Sequence, residues 1–204
     1  MIYQSCKKNL MIKMEKQNSI NIAIFMSSKD VNCISYKNSI EQLIQKISSY
    51  NVKLLVGNGS DGIAKNLCEI ARINNLEILS IITPDEQGYE FAHEKLTVTT
   101  IADRKKLFYD LADLFIVFPG GLGTIDEFFT TLNELKSKKS NKNIVLFNLD
   151  NFFNPVIMLL DQLVSHELLK QKHINYLIIE NDINNLVDKL ELRGGSGNLN
   201  NTYK

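Results

Sequence analysis

The sequence predicts an α/β fold, a mostly parallel sheet with helices on both faces, and three observations carry the prediction. Short, predominantly apolar runs recur along the chain, at 20–25, 78–82, 114–118 and 144–147. Each is followed by a segment with helical periodicity. Two of the strand ends run into glycine-rich turns that open a helix. A strand with no polar face must be covered on both sides, which alternating helices do and hairpins do not. This is a doubly wound, Rossmann-like architecture, in which ligands bind beyond the carboxyl ends of the strands.

The elements follow in order. Residues 20–25 read as the first buried strand. Residues 34–50 read as a helix with Ile40, Leu43, Ile44 and Ile47 on one face. A strand at 53–56 and a helix at 62–73 come next. A strand at 78–82 is stopped by Thr83-Pro84, and a short strand is expected at 96–99. A helix at 102–112, a strand at 114–118, a helix at 124–136 and a strand at 144–147 continue the alternation. Asn154-Pro155 reads as an N-cap followed by proline at the first helical position, opening a helix to about residue 169. A strand at 176–179 and a helix at 183–192 complete a single domain spanning 20–192. Residues 1–19 read as an N-terminal extension, and the Gly- and Asn-rich tail 193–204 as disordered.

The bulk numbers exclude some classes. The 204 residues suffice for one full core. Lys plus Arg equals Asp plus Glu, 23 against 23, which argues against a dedicated nucleic-acid binder. No apolar run approaches the ~18 residues that span a bilayer. Residues 1–18 lack the apolar core of a secretory signal. Cys6, Cys33 and Cys68 stand far apart with no metal-like spacing and form no disulfide framework. A reducing, cytoplasmic setting is the simpler reading. His93, His166 and His173 show no ligand spacing, so no metal site is expected.

The chemistry concentrates in two turns. The first, Gly57-Asn58-Gly59-Ser60-Asp61-Gly62, joins a strand to a helix. Its glycines allow a sharp turn and close approach of a ligand, although a plain β-to-α turn explains them equally well. The second, Pro119-Gly120-Gly121-Leu122-Gly123-Thr124, holds more glycine than a simple turn requires. Its amides and the following helix N-terminus suit an anion such as the phosphate of a nucleoside 5′-monophosphate. No Lys-Ser/Thr follows, so it is not a Walker A loop. Ser27, just past the first strand, is placed to line the same pocket.

Two charged residues accompany the second turn. Thr124-Ile125-Asp126-Glu127 matches a capping box, in which Glu127 would merely bond the helix start. A carboxylate on the first helical turn also lies within reach of the glycine pocket. Arg104 falls inside the apolar arc of about 140° formed by Ile101, Leu107, Phe108, Leu111 and Ala112. A guanidinium there needs an anionic partner, either a carboxylate or a ligand. Lys105, at the edge of the arc, is placed to reach the same cavity.

Arg104-Lys105 and Pro119-Gly120-Gly121-Leu122-Gly123-Thr124-Ile125-Asp126-Glu127 resemble the R-K and P-G-G-x-G-T-x-x-E motifs of the Lonely Guy (LOG) family. These are the cytokinin riboside 5′-monophosphate phosphoribohydrolases, often labelled lysine decarboxylases. The resemblance covers about residues 20–192. It implies a homodimer that hydrolyses the N-glycosidic bond of a nucleoside 5′-monophosphate without metal or organic cofactor. Arg104 and Glu127 would be its catalytic pair, and Gly120, Gly121, Leu122, Gly123 and Thr124 its phosphate turn. Lys105, Gly57, Gly59, Ser60 and Ser27 would complete the substrate site. The chain departs from the family in the first glycine loop, where Asn58 and Lys65 replace glycines. Met26-Ser27-Ser28 stands for the usual Cys-Gly-Ser, and Ile101 lies where a Met is usual before Arg-Lys. The competing reading is a non-catalytic carrier of a nucleotide or phosphorylated cofactor, as in molybdenum-cofactor carriers. An amino-acid decarboxylase has little support, since no lysine stands in a recognisable pyridoxal-phosphate context.

Overall fold

A computed structural model describes residues 19–30, 33–138 and 141–189. The expected N-terminal extension, apart from its last residue, and the expected tail lie outside these residues.

Among the described residues, seven strands form one sheet: β1 (Ile20–Phe25), β2 (Val52–Val56), β3 (Glu77–Ile82), β4 (Glu94–Thr97), β5 (Leu114–Val117), β6 (Asn143–Phe147) and β7 (Leu177–Glu180). Their order is β4-β3-β2-β1-β5-β6-β7, and every pairing is parallel. The sheet is therefore more uniform than the mostly parallel one expected. The helices are α1 (Ile34–Ile47), α2 (Gly62–Ile73), α3 (Ile101–Leu111), α4 (Leu122–Lys138), α5 (Asn154–Ser165) and α6 (Ile183–Lys189).

The central strands β2 and β5 are buried at every position. Their alternate residues feed two separate cores. Ile22, Leu54 and Ile116 pack under α1, α2 and α6, with Ile40, Leu43, Leu67 and Leu186. Ala23, Leu55 and Phe115 pack on the other face, with Leu107 and Phe108 of α3 and Phe128, Leu132 and Leu135 of α4. Period-two burial on both faces is the physical reason the strands read as unbroken apolar runs.

Several boundaries move for identifiable reasons. The helix expected to reach about residue 169 ends at Ser165. There Glu167 turns left-handed at φ 59. Glu167 N–H then bonds Val164 O at 3.0 Å and Leu168 N–H bonds Leu163 O at 2.9 Å, a Schellman ending built without glycine. Asn154 is the first helical residue rather than the N-cap, which is Phe153. The capping oxygen comes from farther back: Asn148 Oδ1 accepts from Phe153 N at 2.7 Å. The strand expected at 96–99 is Glu94–Thr97, half-exposed at the sheet edge, where no apolar run marks it. Ile101, expected in the apolar arc of α3, opens that helix and is exposed.

Candidate active site at the sheet switch point

From β1 the chain winds to β4 in one direction, then returns beside β1 to run β5, β6 and β7 in the other. The carboxyl ends of β1 and β5 thus flank the switch point, where a crevice is expected. The glycine turn sits there, because β5 ends at Val117 and α4 begins at Leu122.

The helix starts two residues earlier than expected. Its first bond is Ile125 N–H to Gly121 O at 3.1 Å. Thr124 is thus the third residue of α4 rather than its cap, and the Thr124–Glu127 capping box does not form. Glu127 lies beyond the first turn, and its carboxyl makes no hydrogen bond among the described residues. The amides of Leu122, Gly123 and Thr124 precede the first helical bond and face outward without a helical acceptor. A Cβ on Gly121 or Gly123 would meet nothing within 4 Å, so space stands open before these amides. Gly120 differs: a Cβ there would collide with the buried Thr124 side chain. Behind the turn, the buried Tyr36 hydroxyl donates to Pro119 O at 2.5 Å and its ring stacks on Phe118.

A cavity of about 290 Å³ opens beside the turn, lined by Ser27, Cys33, Tyr36, Pro119, Gly120, Leu149, Asp150 and Phe152. Asp150 and Asn151 turn left-handed, at φ 51 and φ 60. The Asp150 carboxylate accepts from Ser35 Oγ at 2.6 Å. Ser27 Oγ accepts from Lys29 N at 3.0 Å, which tightens the chain leaving β1.

The charged residues gather between α3 and α4. Thr100 caps α3 by accepting from Asp103 N at 3.1 Å, which fixes the helical register of Arg104. Arg104 Nη1 donates to both Glu86 oxygens at 2.7 Å, with the two side chains 14% and 22% exposed. The anionic partner that Arg104 required is therefore a carboxylate of this chain. Arg104 Nε remains buried with no acceptor among the described residues. Lys105 Nζ pairs with Asp126 at 2.5 Å and bonds Thr130 Oγ1 at 3.4 Å, so it ties α3 to α4. Burial pushes the half-buried Glu127 carboxyl up to about 7, against the lowering pull of Arg104 and Lys105 and with smaller raising contributions from Asp126 and Glu86. Burial opposes ionisation of Glu86 as well, yet Thr83 N–H and Arg104 hold it below its ordinary value.

The first glycine turn lies on the other side of β1. Gly57 has open space above it, whereas Gly59 turns left-handed at φ 62, and a Cβ there would stand only 3.1 Å from Cys68 Sγ, so glycine is a conformational requirement of the turn. Ser80 Oγ donates to Gly57 O at 2.8 Å, and Gly88 N–H donates to Asn58 Oδ1 at 2.8 Å. Asn58, which replaces a glycine of the motif, thus braces the loop after β3. Ser60 Oγ bonds the neighbouring Asp61 carboxylate. No cluster of metal-ligating side chains occurs among the described residues.

A family model described as a possible lysine decarboxylase matches residues 70–190, more than half of the chain, including both charged helices and the second glycine turn. The chain belongs to the Lonely Guy family. Among relatives of this family, the cytokinin riboside 5′-monophosphate phosphoribohydrolase LOG2 of Arabidopsis thaliana is 29% identical over 147 residues, 70% of this chain and 69% of its own. LOG1 of the same plant, given the same activity, is 25% identical over 174 residues, 83% of this chain and 82% of its own. Among solved structures, a molybdenum cofactor carrier protein from Chlamydomonas reinhardtii superposes with a TM-score of 0.65 at 13% identity, over 85% of this chain and 96% of its own. A molybdenum cofactor binding protein from Rippkaea orientalis gives 0.58 at 17%, over 85% and 96%. At these identities the structural likeness shows the fold alone.

Sequence reasoning missed three residues of the site. Tyr36 was legible, since it continues the apolar stripe of α1 one turn ahead of Ile40. Glu86 and Asp150 carried no local signal, because each acts on a partner distant in sequence.

Proposed function

We propose that this LOG-family protein hydrolyses the N-glycosidic bond of a nucleoside 5′-monophosphate, AMP or an N6-substituted, cytokinin-type AMP, to free base and ribose 5-phosphate. The observation that carries the reading is Glu127: a half-buried carboxyl, bonded to nothing among the described residues, about one turn beyond an open helix N-terminus. A carboxyl held near neutrality is suited to exchanging a proton at working pH.

In this reading the phosphate sits on the amides of the Gly120–Thr124 turn, where the helix dipole and free N–H groups favour an anion. That remote contact orients the ribose along α4. As the C1′–N bond breaks, its electron pair leaves with the base and positive charge develops on the sugar. The Glu127 carboxylate stabilises that charge and takes a proton from the water that attacks C1′. The proton then passes to the departing base. Arg104 keeps one buried donor, Nε, for the substrate or for Glu127. Gly57 leaves room on the far side of β1, Gly59 sets the bend of that turn, and Lys105, Ser60 and Ser27 shape the rim. Every step uses groups of the protein and water.

A homodimer fits the same picture. The α5 sequence is apolar, yet Leu160 is its only buried residue, and Met158 and Leu159 are 62% and 45% exposed. Such a helix suits a second copy of the chain. A cytoplasmic setting accords with the free thiols of Cys33 and Cys68 and with the absence, among the described residues, of any helix long and apolar enough to cross a membrane.

The test is a chromatographic screen of adenine, N6-substituted adenine, guanine, cytosine and uracil monophosphates for free base and ribose 5-phosphate. Release that is abolished in folded Glu127→Gln and Arg104→Ala supports the assignment. Release unchanged in both variants sinks it, and tight binding without turnover replaces it with a carrier.

A further inference from the structure

Resting on the hydrolase reading, we propose that Glu86 is a positioning residue: it holds the Arg104 guanidinium by one nitrogen, so that Arg104 sits beside Glu127 without forming an ion pair with it. The geometry has two sides. Glu86 is anchored at the end of β3, where its Oε2 accepts from Thr83 N at 2.8 Å and from Thr83 Oγ1 at 3.0 Å. Both of its oxygens then take Arg104 Nη1 at 2.7 Å. Arg104 is fixed from a strand end as well as from its own capped helix, and the buried Nε is left over.

The consequence falls on Glu127. The charged groups acting on it are Arg104 and Lys105 from α3, Asp126 from α4 and Glu86 from the loop after β3. Lys105 is neutralised by Asp126. Arg104 is neutralised by Glu86. Each cation next to Glu127 therefore carries its own carboxylate, and Glu127 remains a carboxyl dominated by burial. Without Glu86 the guanidinium would be free to pair with Glu127, and an opposite charge in contact lowers a carboxyl by about 1–3 pH units. A Glu127 locked in that pair would be a weaker base and would hold Arg104 away from substrate.

The experiment is a ¹³C-NMR titration of the Glu127 carboxyl in the full chain, wild type against Glu86→Gln, with no substrate present. Gln at 86 still accepts from Thr83 N–H, so the loop keeps its anchor while the charge is lost. The expected result is a fall in the Glu127 midpoint of about one pH unit or more, with the acid limb of kcat moving the same way. Glu86→Asp, which restores the charge, should recover most of the shift. Thr83→Val, which removes one of the two bonds holding Glu86, should give a smaller fall and serves if Glu86→Gln does not fold. An unmoved Glu127 midpoint in the folded variants overturns the proposal, whatever happens to the rate. The titration is independent of turnover. If Glu127→Gln leaves ribose 5-phosphate release intact, the catalytic assignment fails while the coupling between Glu86, Arg104 and Glu127 is still measured.

Discussion

Glu127 links the site to the stability of the chain. Its folded value of about 7 lies above its ordinary 4.5, so the native state binds the proton more tightly than the unfolded chain does. The sign follows: the contribution is fully present below pH 4.5 and is lost as pH rises through 7. Glu127→Gln should therefore unfold at higher denaturant than wild type at pH 8, by about 1–3 kcal/mol, with little difference at pH 4. Wild-type turnover should rise with pH across neutrality if Glu127 acts as the base. Greater stability combined with lost turnover is the mark of a functional carboxylate and the opposite of what a capping residue would give. The two neighbouring glycines separate in the same way. Gly120→Ala collides with Thr124 and should cost ~1–3 kcal/mol in chemical denaturation. Gly121→Ala meets open space, should leave stability within ~0.5 kcal/mol, and should still weaken AMP binding, measured by calorimetry, because its methyl group occupies the anion's place.

At the scale of elements, the strand–turn–helix unit of β5 and α4 carries the proposed phosphate site, and α1 supports it from behind. Tyr36→Phe removes the donor to Pro119 O and leaves a buried carbonyl without it. A loss of ~1 kcal/mol in urea unfolding is expected, with a larger Kd for AMP than the stability change alone explains. The start of α4 shows what local sequence can and cannot tell. Thr-x-x-Glu is a true capping pattern, and glycine is a poor helix former, so sequence alone sets the helix start after the last glycine. Packing overrides both: Thr124 is buried, its side chain fills the space beside Gly120 four residues earlier, and the helix begins before it. Arg104 shows the opposite case. Its place on an apolar face was legible, and so was its need for an anion. That the anion is Glu86, eighteen residues away on another element, was not.

For the whole molecule, the switch point between β1 and β5 puts both glycine turns at the carboxyl edge of the sheet, on either side of β1. The exposed apolar residues of α5, with Phe152 just before it and Leu122 at the mouth of the second glycine turn, are 45–86% accessible. Replacing Met158 and Leu159 with Asp should convert a dimer to a monomer in analytical ultracentrifugation while the thermal unfolding of the domain stays cooperative. A wild-type chain that sediments as a monomer would sink the dimer reading.

The sequence by itself determined the α/β class, the alternation of elements, the glycine turn and the suspicion attached to Arg104 and Glu127. All of these rest on local periodicity, on backbone freedom and on the cost of burying charge. Only the tertiary structure decided the strand order and the pairing of each cation with its own carboxylate. Those depend on contacts between elements distant in the chain, which no window of sequence contains.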